Sequence, residues 1–241
     1  MQTKLLYMED FTVLQSETIV VDVGQENDKD IVILDQTVFY SQGGGQPYDK
    51  GIISSDTAEF EVEEVRYVDG VVKHIGRMIK GQLTKEEVVT CKVEEKRRLL
   101  NSRLHTAGHL IDLVVFKLKP GWIPVKGFHF PDGPYIEYKG SVADEEKEQL
   151  KNEITNQCNQ HIANGMKIKA VFMDEELMHT VCHFVPENIP KGKPARVIII
   201  GDFGVPCGGT HVKDVREIKN LTIRKIKSDN ENVRISYDVE R

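Results

Sequence analysis

Residues 201–211 read GDFGVPCGGTH, placing Cys207 and His211 four residues apart with Gly208 and Gly209 directly after the sulfur. One tight turn would point both side chains the same way, and thiolate and imidazole are both good zinc ligands. The two glycines remove bulk beside the sulfur, so a ligand or another backbone segment can approach closely. Two ligands do not make a site, but HTAGH supplies another pair. His105 and His109 are i and i+4, on one face of a helix, the spacing at which two imidazoles grip one ion. No Glu follows His105, so the general base built into a metalloprotease helix is missing. Taken alone, this pair reads equally well as two unrelated histidines, one buried and one exposed. Together the two pairs give four donors of suitable softness, and the expectation is one shared zinc per chain.

Four protein ligands describe a closed structural site, whereas a catalytic zinc keeps a position for water. Either one histidine, such as His211, stands back from the metal, or the coordination expands when substrate arrives. The bare loop favours a working site. Backbone N–H groups of Gly208, Gly209 and Thr210 are candidates for holding a developing oxyanion. The base is left open among zinc-bound hydroxide, a substrate hydroxyl and an incompletely ligated His211.

The elements that must position these residues fall into two textures. Residues 1–90 read as short strands rich in Val, Ile, Thr and Tyr, with Asp69-Gly70 as a strong hairpin signal, which predicts a small β-barrel. From VEEKRRLLNSRLHTAGHLIDLVVFKLK onward, Leu99, Leu100, Leu104, Leu110, Ile111, Val114 and Val115 recur at helical spacing, and Pro120-Gly121 ends the run. A second helix is expected over VADEEKEQLKNEITNQCNQHIANG, with Ser141 as N-cap and Asn164-Gly165 as stop. A strand in KIKAVFM, a short helix around DEELMHT, and strong strands in ARVIIIGDF and LTIRKIKSDNENVRISYDV complete the chain. Without strict βαβ alternation the expected class is α+β: a barrel domain over 1–90, then helices on antiparallel sheet over 91–241.

At 241 residues the chain can bury a real core, and 39% hydrophobic with 29% charged residues is the balance of a soluble globular protein. No apolar run reaches membrane-spanning length and the first residues lack a secretion-signal layout, so a cytoplasmic protein without a membrane partner is expected. Cys91, Cys158, Cys182 and Cys207 show no paired spacing and read as free thiols or metal ligands rather than disulfides, with Cys158 and Cys182 in ordinary packing or surface roles. Trp122, His129 and Tyr135 are expected to line the sheet or a pocket rim. The net charge of −6 is unlike a basic nucleic-acid coat, but phosphate contacts depend on local patches. Three basic stretches qualify: Lys96, Arg97, Arg98 and Arg103; Lys191, Lys193 and Arg196; and Arg224, Lys225 and Lys227.

HTAGH followed about a hundred residues later by CGGTH resembles the motif pair of the alanyl-tRNA synthetase editing domain, shared with the free-standing AlaX editing proteins and, more distantly, with threonyl-tRNA synthetases. DQTVFYSQGGGQPYDKG, residues 35–51, looks like that family's glycine-rich motif, which threonyl-type domains do not match. The three segments occur in the family's order, so the resemblance covers nearly the whole chain, in the medium-length, stand-alone form. Ser41 stands where the family usually has proline and Tyr48 where it usually has a small residue, departures that bear on the loop's stiffness and shape.

The resemblance implies hydrolysis of the ester joining a wrong amino acid, serine or also glycine, to the 3′ end of alanine tRNA. The metal ligands carry over as His105, His109, Cys207 and His211. Thr37 matches the threonine that recognises the serine hydroxyl; a site built to bond a hydroxyl rejects an analogue lacking it by ~4 powers of ten or more. Gly43, Gly44 and Gly45 would let the loop lean on the substrate, with Gln46 and Asp49 holding its shape or contacting substrate. Arg97, Arg98, Arg103 and Lys213 become candidates for acceptor-stem phosphates. DNA is not implied, and the oligomeric state is left open. Two rival readings are a non-catalytic, zinc-stabilised tRNA-binding module and a zinc hydrolase of another aminoacyl ester.

Overall fold

A computed structural model describes residues 2–187, 189 and 191–241. The chain divides into two units, Met1–Leu99 and Leu100–Arg241.

In the first unit β1 (Lys4–Leu5) and α1 (Leu6–Glu9) precede β2 (Gln15–Glu26), β3 (Lys29–Leu34) and β4 (Gln36–Thr37). Then follow β5 (Gly51–Ser54), β6 (Glu59–Val68), β7 (Val71–Lys80) and β8 (Val88–Val93). A closed barrel runs in the order β2-β3-β7-β6-β5-β8, so the six strands leave no open edge. Alternation on β6 is inward at Phe60 and Val62 and then slips at a bulge between Val62 and Glu64, so Val65 takes the next inward place. These residues join Val20, Val32, Leu34, Ile53, Val72 and Val89 in the barrel core. The hairpin expected at Asp69-Gly70 forms, with φ of 50° and 86°, the left-handed pair that suits the twist of β6 and β7. Asn27 and Asp28 make an equivalent turn at 52° and 60° between β2 and β3.

The second unit takes most of α2 (Glu95–Leu118), then β9 (Ile123–Phe128), β10 (Tyr135–Lys139), α3 (Lys147–Asn164), β11 (Ile168–Met173) and α4 (Glu175–Met178). It ends with β12 (Ala195–Ile200), β13 (Phe203–Pro206), β14 (Leu221–Asp229) and β15 (Asn232–Val239). Two antiparallel sheets result, β14-β15-β10-β9 and β11-β12-β13. The class is α+β. Leu150, Ile154, Cys158 and Ile162 form the buried stripe of α3, which packs on β14. Asn159 locks that contact by bonding both the N–H and the carbonyl of Leu221.

Three local expectations are corrected. Ser141 does not cap α3: a 3-10 turn over Asp144–Glu146 comes first, and Glu146 occupies the cap position without a side-chain bond. ARVIIIGDF is not one strand, because Gly201 at φ 64° reverses the chain into β13, and LTIRKIKSDNENVRISYDV reverses likewise at Asn230, φ 53°. The strands β9 and β10 escape the pattern reading because β9 leaves Ile123, Val125 and Lys126 exposed and shows no alternation, while the alternating run of β10 is only five residues long.

Candidate metal centre

The helix α2 presents His105 and His109 one turn apart, and the loop after β13 presents Cys207 and His211. Their four ligand atoms lie within 4.8 Å of one another. Both His105 Nε2 and His211 Nε2 are 3.4 Å from Cys207 Sγ. The imidazole centroids of His105, His109 and His211 are 4.6–5.1 Å apart. His109 Nε2 is buried and has no hydrogen-bond partner among the described residues. A buried ring nitrogen without a partner, among three other converging ligand atoms, is what a bound cation would satisfy. The S···N separations also suit one ion with bonds of about 2.3 Å to sulfur and about 2.0–2.1 Å to nitrogen. The cluster can hold a metal.

Each ligand is fixed from behind. His109 Nδ1 faces Asp112 Oδ2 at 3.5 Å, and Asp112 Oδ1 accepts the Tyr138 hydroxyl at 2.5 Å. His211 Nδ1 lies 3.2 Å from Thr106 Oγ1, which also accepts the Val212 N–H. The partners on Nδ1 leave Nε2 to face the cluster, as metal-binding imidazoles require. His129 stacks on His105 at 4.4 Å. Its Nδ1 bonds the Tyr237 hydroxyl at 2.6 Å, and that hydroxyl donates to Leu104 O. His129 therefore buttresses His105 from the β-sheet side.

The loop is pinned along its length. Arg196 on β12 donates Nε to Cys207 O at 2.9 Å and Nη2 to Gly209 O. Thr210 Oγ1 and Ser102 Oγ pair at 2.8 Å, tying the loop to α2. Asp214 and Glu217 close a capping box on the 3-10 turn Val215–Ile218. The Gly209 N–H points at Cys207 Sγ, 3.3 Å away, so in this arrangement that amide serves the sulfur rather than an oxyanion.

Burial and charge act differently on the four side chains of the cluster. Burial holds the His105 and His211 imidazoles well below the usual histidine range, which keeps them neutral. Burial opposes ionisation of Cys207, but the charge of His109, with Arg196 and the Gly209 N–H, outweighs it and lowers the thiol. Burial also disfavours charged His109, but Cys207 and Asp112 raise it overall.

The barrel motif is built differently. Gly44 and Gly45, at φ 52° and 77°, make a turn closed by reciprocal backbone bonds between Gly43 and Gln46. Gly43 and Gly44 are exposed, whereas Gln46 and Asp49 are buried. Asp49 Oδ2 accepts the Tyr40 N–H at 2.7 Å and pairs with Arg98 at 2.5 Å. Arg98, only 3% exposed, also bonds Val13 O and Val38 O. The expectation that Arg98 meets phosphate is therefore corrected, since its donors are used inside the barrel. The Thr37 hydroxyl is buried, accepts the Phe39 N–H and lies 2.8 Å from His74 Nε2. His74 Nδ1 donates to Val32 O, so Nε2 is the acceptor and Thr37 the donor.

Among the other basic candidates, Arg97 is half-buried, bonds Tyr48 O and covers the Tyr48 ring at 5.5 Å. Arg103 is half-buried, its Nε without a hydrogen-bond partner among the described residues, and Lys213 is exposed. The pattern reading missed the roles of Asp112, Tyr138, Thr106 and Ser102; Thr106 lies inside HTAGH, and the other three carry no motif. It took Arg196 for part of a basic stretch; a lone arginine opening the apolar run RVIII was the available signal for a buried role.

The comparisons point to one group of proteins. Over 95% of its length the chain is 32% identical to alanyl-tRNA editing protein AlaX-L of Pyrococcus horikoshii. The chain is similar to alanyl-tRNA editing proteins along nearly its whole length. The family described as tRNA synthetases class II (A) matches residues 3–97, and that described as the threonyl and alanyl tRNA synthetase second additional domain matches residues 195–235, which include Cys207 and His211. Alanine–tRNA ligases of Methanosarcina acetivorans and Francisella tularensis are each 30% identical, over 100% and 76% of this chain. The chain spans 55% of the AlaX-L protein, 25% of the first ligase and 21% of the second.

Among the described residues, no helix is long and apolar enough to cross a membrane.

Proposed function

We propose that this chain is a zinc-dependent deacylase that hydrolyses wrongly charged alanine tRNA in the cytoplasm, removing serine and also glycine while sparing alanine. The observation that carries the reading is the convergence of His105, His109, Cys207 and His211, with His109 Nε2 buried and unpartnered. Similarity to an alanyl-tRNA editing protein supplies the substrate class.

When bound, zinc supplies Lewis-acid chemistry to an already activated ester and to water. The chain's own contribution is positioning. Asp112 and Thr106 hold two imidazoles with Nε2 toward the ion, and Arg196 and Ser102 hold the loop that carries the other pair of ligands. His211 has Thr106 on one nitrogen and Cys207 on the other, which favours a ligand's role over a base's.

Thr37 is proposed as the selectivity residue. Its proton goes to His74 and one lone pair to Phe39 N–H, so the remaining lone pair would accept from a serine hydroxyl that alanine lacks. Arg97, Arg103 and Lys213 remain proposed phosphate contacts.

The test is release of serine and of alanine from the two charged forms of alanine tRNA, by wild type and by Thr37→Val and Thr37→Ser. Serine release with alanine spared is expected, with discrimination reduced at least tenfold in Thr37→Val and largely kept in Thr37→Ser. Discrimination unchanged in Thr37→Val would remove Thr37 from the account.

A further inference from the structure

The turn of α2 before His105 carries Asn101, which is 0% exposed, and neither Oδ1 nor Nδ2 has a hydrogen-bond partner among the described residues. A carboxamide offers two donors and an acceptor, and native proteins rarely leave such a group buried and unbonded without a use for it. Here the complete inventory of the side chain is unmet.

Its place says what the use is. Asn101, His105 and His109 are i, i+4 and i+8 along α2, so they share one stripe, with neighbouring Cβ atoms about 5–6 Å apart. Side chains on a helix lean toward its N-terminus, which lays the His105 imidazole over the turn that Asn101 occupies. The adjacent Ser102 is bonded to Thr210 of the CGGTH loop, so this same turn is fastened to the segment that brings Cys207 and His211. The unmet amide therefore belongs to the same α2 stripe as His105 and His109, on a backbone anchored to the loop of Cys207 and His211.

We infer that Asn101 is a substrate-contacting residue, whose carboxamide binds the α-amino ester at the metal centre. An aminoacyl ester presents an amine N–H and a carbonyl oxygen separated by one carbon–carbon bond. A carboxamide can meet that edge with Oδ1 accepting from the amine and Nδ2 donating to the carbonyl, closing a nine-membered ring like that of asparagine on adenine. Its Nδ2 would remain a donor as charge builds on the carbonyl oxygen, the kind of contact whose removal costs roughly 10²–10³ in rate. The inference rests on the deacylase reading and names what holds the aminoacyl group there.

The experiment compares wild type with Asn101→Leu, which keeps the volume and removes every polar atom, and with Asn101→Ala should leucine not be accommodated. Four quantities are read: metal content, Tm, single-turnover release of serine from charged alanine tRNA, and the Tm shift produced by a non-hydrolysable seryl-amide analogue of the tRNA 3′ end. The expected result is full metal content, an unchanged or higher Tm, release slowed at least 100-fold, and loss of the analogue's Tm shift. Release within threefold of wild type, or an unaltered analogue shift, would overturn the inference while leaving the deacylase reading standing. Loss of metal or a lowered Tm in parallel with activity would show a structural role and overturn it too. A wild type that holds metal but neither releases serine nor responds to the analogue would overturn both.

Discussion

The face of α2 with its CGGTH loop and the glycine-rich loop of the barrel are both motif-bearing and both rich in buried polar groups, but these are satisfied in opposite ways. In the barrel, Asp49 meets Arg98 and the Tyr40 N–H, and Thr37 meets His74 and the Phe39 N–H. On α2, His109 Nε2 and both polar atoms of Asn101 are buried without hydrogen-bond partners among the described residues. A low-dielectric interior makes an unpaired polar atom costly, so the first arrangement is one that stabilises itself and the second one that needs a ligand. Shared membership in a motif set thus hides a division of labour between holding shape and binding.

The largest expected effect breaks the barrel side alone. Arg98→Ala leaves the Asp49 carboxylate buried without its cation, which should cost about 3–5 kcal/mol of unfolding free energy, read by urea denaturation. Metal content should stay at the wild-type value; a loss of metal would mean that the two regions are not separable in this way.

A smaller effect comes from His74, whose imidazole burial pushes down to about 4 from an ordinary value of 6.5. Between those values the unfolded chain takes up a proton that the folded barrel refuses. Stability therefore rises with pH across that window and falls on acidification, by about 1.4 kcal/mol per pH unit and roughly 3 kcal/mol in all. Denaturation midpoints of wild type and His74→Gln from pH 7 to pH 4 check this, and the variant should show the shallower dependence.

The smallest effect sharpens the α2 side. Asp112→Asn weakens the acceptor behind His109 Nδ1 and should lower metal affinity about 10- to 100-fold, measured by chelator competition, with the fold intact. An unchanged affinity would leave Asp112 merely the partner of Tyr138.

Much of this division was legible beforehand, and unevenly. The convergence of His105, His109, Cys207 and His211 could be read from two i, i+4 pairs because helix and turn geometry convert spacing directly into direction. The barrel could be read from strand composition and the Asp69-Gly70 turn. The buried uses of Arg98 and Arg196 could not, because a cation's partner lies far away in sequence: Arg98 reaches Val13 and Val38 as well as Asp49. Asn101 was invisible for a related reason, since no spacing rule marks a side chain whose only peculiarity is having no partner. Strand β9 was missed because exposure removed the alternation that signals a half-buried strand, and β10 because its alternating run is only five residues long.

The central claim is that His105, His109, Cys207 and His211 make one metal centre that does the chemistry. The direct measurement strips the protein with a strong chelator, restores zinc in steps, and follows bound metal and serine release from charged alanine tRNA together, with Cys207→Ala alongside. The account predicts saturation at one zinc per chain, with release rising in proportion to occupancy and absent from Cys207→Ala. Release that persists in the stripped protein, or in Cys207→Ala, would contradict it.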